Sequence, residues 1–251
     1  MNNLQKKIII TGHSRGLGKA LTSHYQRNGY AVMGISRTIT AETNIHIEPL
    51  LTQVTLDLSQ TDQLISWLSG SLLTEFLATA SEIILINNAG SAHPNAILGR
   101  QSASEITTTI ALNVTAPLLL SNAVMQAKPK NRYLKIVHIS SGAGRKSYPG
   151  WSVYGATKAA LDQHALCIAA EQHIDVAIAS IAPGVVDTGM QAQIRQAKSV
   201  DFPLLSRFQD LAQNGGLTAP TSTAECIATL IQAANFGRQI ILDVREPSIN
   251  A

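Results

Sequence analysis

The sequence is poor in aromatic and charged residues, and it lacks the clusters on which several function classes depend. Of its 251 residues, only 4% are aromatic and 14% are charged. No run of basic residues is longer than Lys6-Lys7, whereas a nucleic-acid surface needs clustered positive charge and aromatic stacking platforms. We therefore expect no nucleic-acid partner, despite the net charge of +3.

Cysteine is also scarce, and no metal-binding pattern is present. Cys167 and Cys226 have neither metal nor redox spacing, so both are predicted to be small buried residues in a protein of the reducing cytoplasm. The seven histidines form no H-E-x-x-H motif or tight group, so we expect no catalytic metal. The apolar run at residues 8–10 is too short for a signal peptide or a membrane span, and no membrane association is expected.

Hydrophobic residues make up 45% of the chain, in short apolar runs that alternate with helical patterns. This alternation indicates a parallel α/β sheet with helices on both faces. The predicted strands are 7–11, 31–36, 53–56, 83–87, 134–140, 176–181 and 239–242. The predicted helices are 16–27, 62–73, 103–127, 152–172 and 222–234. No linker divides the chain, and the irregular segment 182–220 is predicted to cover a substrate site.

A glycine-rich stretch, T-G-H-S-R-G-L-G at 11–18, joins the first predicted strand to the first helix. Its residues 12–16 also fit G-x-S-x-G, the elbow that presents a nucleophilic serine in α/β hydrolases. That elbow needs an oxyanion-hole loop from an earlier strand, but no strand precedes residue 7. Bare glycine backbone at a helix N-terminus suits a dinucleotide phosphate. We expect the phosphate to contact Gly12, Ser14, Arg15, Gly16, Leu17 and Gly18.

The end of the second predicted strand indicates which dinucleotide is bound. It reads Ser36-Arg37 and has no acidic residue, although such a residue grips the ribose 2′-hydroxyl in NAD-binding folds. Arg15 and Arg37 can instead clamp a 2′-phosphate. NADPH is therefore predicted over NADH, the alternative being that each arginine is a solvated loop residue.

Two further strand ends are candidates for cofactor contacts. Asp57, followed by Leu58, can accept a hydrogen bond from the adenine amino group or serve as a capping residue. Asn88, Ala89 and Gly90 follow the fourth predicted strand, where small residues allow the cofactor to approach closely.

A catalytic cluster is predicted from Ser141, Tyr154 and Lys158. Tyr154 and Lys158 are four residues apart and share one helix face. An ammonium near the phenol is expected to lower the pKa of Tyr154, which makes it a proton donor near neutral pH. Ser141 can polarise a substrate carbonyl. Pro117 lacks the N–H that would bond the carbonyl of Asn113, so that carbonyl can hold a relay water, the alternative being a kinked helix with a capped amide.

These motifs, with N-N-A-G at 87–90, I-S-S-G at 139–142, Y-G-A-T-K at 154–158 and P-G-V-V-D-T at 183–188, together resemble the short-chain dehydrogenase/reductase family. The resemblance implies a single Rossmann-type domain over residues 1–251 with a seven-stranded sheet. It also implies that Tyr154 is the acid/base, that Lys158 holds the nicotinamide ribose and that Ser141 orients the carbonyl. Asn113 would join a proton relay. The nicotinamide end would contact Pro183, Gly184, Val186 and Thr188.

The segments at 140–154 and 182–195 are similar to those of sepiapterin reductases and the related bacterial benzil-type diketone reductases. This likeness implies a small, flat substrate with two adjacent carbonyls, near Tyr148, Trp151 and Met190. Ordinary loop packing is the alternative for the two aromatic residues. Sepiapterin reductases anchor the pterin with an acidic residue near the C-terminus, and Asp243 lies in that region.

The sequence thus predicts an NADPH-dependent carbonyl reductase acting on a small ketone or vicinal diketone. A non-catalytic NADPH-binding regulator and a serine hydrolase that uses Ser14 are the alternatives. Small residues at Ala156, Ala159 and Ala160 allow close helix contact, and a homodimer or homotetramer is expected from the family resemblance.

Overall fold

Seven parallel strands form one sheet in the computed structural model, which describes residues 4–39 and 51–246. Their order across the sheet is β3-β2-β1-β4-β5-β6-β7. Most residues of the central strands are buried, as expected when helices cover both faces of a sheet. The fold class predicted from the sequence is confirmed. The strands are β1 Gln5–Thr11, β2 Ala31–Ser36, β3 Leu51–Thr55, β4 Ala80–Asn87, β5 Tyr133–Ile139, β6 Val176–Ala182 and β7 Ile241–Asp243.

The helices follow the predicted alternation with two interruptions. The predicted helix 62–73 is two helices, because Ser69-Gly70-Ser71 separates them and the Ser69 hydroxyl donates a hydrogen bond back to the Ile65 carbonyl, which ends the first helix. The predicted helix 103–127 widens into a π-helical turn at Ala111–Thr115. The helices are α1 Gly16–Arg27, α2 Thr61–Leu68, α3 Leu72–Leu77, α4 Ala103–Ile110, α5 Ala116–Ala127, α6 Ser152–Ala170, α7 Gly189–Ile194, α8 Leu205–Gln213 and α9 Pro220–Gln232.

Alternate side chains of the central strands feed two separate cores. Ile8 and Ile10 of β1 pack on the side of α1 and α9, whereas Ile9 faces the side of α2, α3, α5 and α6. All three are fully buried, and each contributes about 1.5–3 kcal/mol by leaving water. Helices therefore pack on both faces of the sheet and hold the carboxyl ends of its strands in place.

The continuous helical segment Ala103–Ala127 is long and apolar enough to cross a membrane by length and composition alone, with a mean hydropathy of 1.3. In the fold, its Ala116, Leu120 and Val124 are buried in the core on the α5 side of the sheet. This packing accounts for the apolar composition of the helix.

The prediction that both cysteines are buried is wrong. Cys167 and Cys226 are exposed. Cys167 lies outside the buried stripe of α6, and Cys226 lies between the residues through which α9 meets the core, such as Ala224 and Ile227. The small apolar character of cysteine does not decide which face of a helix it occupies.

Candidate active site

The strand order reverses direction between β1 and β4, and in open α/β sheets ligands bind at such a switch point outside the carboxyl ends of the strands. A cleft of ≈ 540 Å³ lies there. Every site residue predicted from the sequence lines it except Asn113, which lies fully buried behind it. The structure thus brings together residues from positions 12 to 190.

The glycine loop is shaped by backbone contacts that other residues would block. Gly12 and Gly16 have φ values of 69° and 53°, a region that favours glycine. A Cβ on Gly18 would lie 2.1 Å from the Gly12 carbonyl oxygen, so α1 can approach the loop only with glycine at that position. Thr11 fixes the loop to the end of β4, because its hydroxyl accepts the backbone N–H groups of residues 88 and 89, both at 2.9 Å.

The first turn of α1 faces the cleft with its backbone donors available. Arg15, the residue that precedes the helix, makes no side-chain cap among the described residues. Uncapped N–H groups and the helix dipole together suit an anionic group. The Ser14 hydroxyl instead pairs with Thr38 Oγ1 at 3.1 Å. That partner cannot act as the general base that a serine nucleophile requires.

At the far end of the cleft, Arg15 and Arg37 are exposed and line its wall. Ser36 donates to the Thr38 carbonyl at 2.5 Å, which shapes the loop that carries Arg37. Asp57 is the sole acidic residue among the described cleft-lining residues, and its Oδ1 accepts both the backbone N–H and the hydroxyl of Ser59. This contact is a local turn before α2, and the adenine contact of Asp57 stays a prediction.

The predicted catalytic side chains meet at the opposite end. Tyr154 is 7% exposed, and the Lys158 ammonium lies 5.7 Å from the centroid of its ring. Lys158 Nζ donates to the Ile139 carbonyl at 2.7 Å. Burial lowers the pKa of Lys158 to about 8.

The expectation that the pKa of Tyr154 is lowered is wrong for this structure. Burial raises the pKa of Tyr154, and a hydrogen bond from Ser141 opposes the rise. The effect of burial outweighs the groups that favour the ionised phenol.

Asn113 occupies the π-helical turn and is fully buried. Its amide donates to the Ser91 carbonyl at 2.8 Å and to Thr157 Oγ1 at 3.0 Å, and its Oδ1 accepts the Ser91 N–H at 2.9 Å. A Cβ on Gly90 would lie 3.3 Å from that Oδ1 and 3.6 Å from Lys158 Nζ. Asn113 and Lys158 therefore approach the same glycine, and Asn113 ties the loop after β4 to α6.

The segment after β6 forms one wall of the cleft. Gly184 has a φ of 76°, and Pro183, Val186 and Met190 line the same wall. Thr188 faces the glycine loop, since a Cβ on Gly16 would meet its Cγ2 at 3.1 Å. The predicted covering segment contains α7 and α8, whose packing closes this end of the cleft.

Aromatic side chains surround the outer part of the catalytic end. Trp151 packs edge-on against Tyr148 and Tyr154, with ring centroids 5.9 and 5.1 Å apart, and it also contacts Phe208 of α8. Its indole N–H donates to Asn95 Oδ1 at 2.7 Å. Trp151 is 7% exposed, so its main contribution is to pack against the rings of Tyr148 and Tyr154.

Two arginines at this end were missed by the sequence analysis. The Arg207 guanidinium lies 5.5 Å from the Tyr148 ring centroid, and Arg245 lines the cleft beside Gly184. Arg245 binds both carboxylate oxygens of Asp243, at 2.8 and 2.6 Å, which lowers the pKa of Asp243. The spacing Asp243-x-Arg245 was a signal in the sequence, but only the turn after β7 brings it to the cleft.

Comparison with known proteins identifies the class to which this fold and site belong. The family model described as short chain dehydrogenase matches residues 6–199. The chain belongs to this family of oxidoreductases, which act on alcohol and carbonyl groups.

Individual relatives show which members of the family the chain is similar to. The chain is 35% identical to the benzil reductase ((S)-benzoin forming) of Bacillus subtilis, over 95% of this chain and 98% of the relative. It is 31% identical to the sepiapterin reductase of Rattus norvegicus, over 91% and 92%. A solved short-chain dehydrogenase/reductase from Burkholderia vietnamiensis has a TM-score of 0.70 and 34% identity, over 97% of this chain and 98% of that one.

Proposed function

We propose that the protein reduces a small ketone or vicinal diketone with NADPH, and that Tyr154 delivers the proton. The observation that carries this proposal is the meeting of Tyr154, Ser141 and Lys158 at one end of a cleft whose other end is a bare glycine loop. The benzil reductase of Bacillus subtilis, similar over nearly the whole chain, supports a compact diketone as substrate.

The described residues fit a dinucleotide with a 2′-phosphate. The glycine contacts leave backbone N–H groups open to the pyrophosphate, and Arg15 and Arg37 supply positive charge where the 2′-phosphate would lie. When bound, the nicotinamide supplies a hydride to the substrate carbonyl carbon. Gly90, Gly184 and Thr188 would hold the nicotinamide end against the catalytic side chains.

Side chains of the protein bind the substrate oxygen and supply its proton. Ser141 donates a hydrogen bond to the carbonyl oxygen and stabilises the charge that develops there. Tyr154 transfers its phenolic proton to the same oxygen as general acid. Lys158 stabilises the resulting phenolate by its charge, and Asn113 keeps the Gly90–Ser91 backbone in place beside it.

The substrate end favours a neutral aromatic or compact diketone over a pterin. A pterin anchor would need a carboxylate that faces the cleft, but both oxygens of Asp243 are bound to Arg245. The rings of Tyr148 and Tyr154 offer flat apolar surface beside the catalytic hydroxyl groups.

The decisive experiment is Tyr154→Phe, assayed by NADPH consumption with benzil. We expect kcat to fall by about 10²- to 10⁴-fold, the usual contribution of a positioned general acid, while NADPH binding followed by fluorescence stays near the wild-type value. Tyr133→Phe, at an exposed position on β5, is the matched control and should keep full turnover. Wild-type turnover by Tyr154→Phe would overturn the mechanism.

A further inference from the structure

One buried carboxylate lies beyond the residues assigned to the reaction. Asp162 is 8% exposed, and it follows Lys158 by four residues and Tyr154 by eight on α6. Residues with this spacing lie on one helix face, and all three belong to the buried stripe of the helix. A buried carboxylate one turn from a buried ammonium requires a physical explanation, because each charge is costly to remove from water.

Both oxygens of Asp162 have fixed partners. Oδ2 accepts Arg145 Nε at 2.9 Å, and Oδ1 accepts the Ser180 hydroxyl of β6 at 2.6 Å. Arg145 also donates to the Leu242 carbonyl at 3.1 Å and to the Ser180 carbonyl at 3.4 Å. The network joins α6 to β6 and β7 and fixes the position of the carboxylate.

The same network reaches the loop that carries Ser141. Arg145 directly follows the 3-10 turn Gly142–Gly144, and Ser141 caps that turn by accepting the Ala143 N–H at 3.2 Å. The turn packs closely on α6, since a Cβ on Gly144 would lie 2.8 Å from the Lys158 carbonyl carbon. Asp162 thus contacts the anchor of the Ser141 turn and shares a helix face with Tyr154 and Lys158.

We propose that Asp162 is a positioning residue for the catalytic group: its carboxylate compensates the charge of the buried Lys158 side chain one helix turn away and, through Arg145, holds the Ser141 turn against α6. This inference rests on the proposed function, because Lys158 matters through the Tyr154 phenolate. It assigns a task to a side chain that touches neither substrate nor cofactor.

Asp162 is the anion among the titratable groups described around Lys158. Burial lowers the pKa of Lys158, and the charge of Asp162 opposes that fall. From β5, His138 faces Lys158, but burial lowers the pKa of His138 to about 3, so it is neutral at neutral pH. Tyr154 on α6 is a neutral phenol because burial raises its pKa, and the cation Arg145 opposes the ammonium.

The first test is Asp162→Asn. We expect the alkaline limb of the kcat profile to shift to lower pH by about one unit, the size of effect that a nearby buried charge has. The same shift should appear without cofactor, in the pH dependence of Lys158 acetylation by trace acetic anhydride, measured by peptide mass spectrometry. Asp162→Glu restores the charge and should return both profiles toward wild type.

The second test should shift the kcat and acetylation profiles in the opposite direction. Arg145→Gln removes the cation that neutralises Asp162, so both profiles should shift to higher pH. Loosening of the fold would move the two variants in the same direction. Glu171→Gln, the same charge change at the exposed end of α6, is the control and should leave both profiles unchanged.

Unchanged acetylation profiles in both Asp162→Asn and Arg145→Gln would overturn the inference, as would shifts of the same sign. If Asp162→Asn does not fold, Arg145→Gln and Asp162→Glu still decide the matter by the direction of their shifts. Failure of the proposed function is a separate result, since Tyr154→Phe would then keep its turnover while the acetylation profiles could still respond to Asp162.

Discussion

The proposed preference for NADPH rests on single side chains at the far end of the cleft. Arg15 and Arg37 are exposed, and the one acidic residue among the described cleft-lining residues, Asp57, is held in a local turn with Ser59. A carboxylate at position 37 would repel a 2′-phosphate, whereas a guanidinium can bind it with two hydrogen bonds. The choice between NADPH and NADH is thus testable at one residue.

We predict that Arg37→Ala raises the KM for NADPH by about tenfold to a hundredfold, the equivalent of one charge-assisted hydrogen bond. The KM for NADH should change little, because NADH has no 2′-phosphate. The measurement is kcat/KM for both cofactors with one substrate. Arg27→Ala, at the exposed end of α1, is the control. A wild-type preference for NADH would contradict the prediction from the start.

The sequence could predict which side chains meet at the proposed catalytic end of the cleft but not how they interact. The positions of Tyr154 and Lys158 follow from helical spacing, which depends on local backbone geometry alone. The pKa of Tyr154 is raised by burial, and burial depends on elements that pack against α6 from elsewhere in the chain. The Lys158 ammonium likewise donates to the Ile139 carbonyl of β5. Asp162 was overlooked for the same reason, since its partners Arg145 and Ser180 come from other elements.

Among the elements, α1 and its glycine loop were predicted with their correct limits, because hydrophobic periodicity and glycine are local signals. The break between α2 and α3 and the π-helical turn before α5 were not. The break follows a local signal that the prediction did not use, the sequence Ser69-Gly70-Ser71. The π turn depends on packing, because it places Asn113 against Ser91 and Thr157, a contact that no local pattern records. Residues 40–50, to which the prediction assigned no element, lie outside the described residues.

The close approach of α1 to its loop gives an element-scale prediction. Gly18→Ala would place a methyl group 2.1 Å from the Gly12 carbonyl oxygen, so the helix must move away from the phosphate site. We expect NADPH affinity measured by calorimetry to fall at least tenfold and the melting temperature to drop by several degrees. Gly70→Ala, between α2 and α3, is the control, because an added Cβ there meets only the Trp67 carbonyl at 3.3 Å. Unchanged affinity in Gly18→Ala would refute this account of the loop.

At the scale of the whole molecule, a chain of hydrogen-bonded polar side chains crosses the core on the α5 and α6 side of the sheet. His138 lies between Asn87 and His164, at 3.2 and 2.9 Å, and Asn87 also donates to Ser121. This hydrogen-bonded chain links β4, β5, α5 and α6. Its protonation therefore acts on global stability and not on one loop.

The pH dependence of that stability follows from the pKa of His138, which burial lowers from the ordinary 6.5 to about 3. As the pH falls below about 6.5, the unfolded chain takes up a proton that the folded chain excludes, so stability is lost on acidification. We predict that His138→Gln flattens the decline in the free energy of unfolding between pH 6.5 and 4.5 by up to about 1.4 kcal/mol per pH unit.

Urea unfolding at several pH values measures this slope. At the acid end of this window, Asp175 and Asp243, whose pKa values are lowered in the folded protein, begin to be protonated in the unfolded chain and add the same loss of stability in both proteins. His164 and His24, whose pKa values burial also lowers, keep a residual slope in both proteins. His173→Gln, at a more exposed position beside Glu171, should leave the slope as in wild type. An equal slope in His138→Gln and wild type would mean that the buried chain accommodates the proton, and that acid stability is set by other groups.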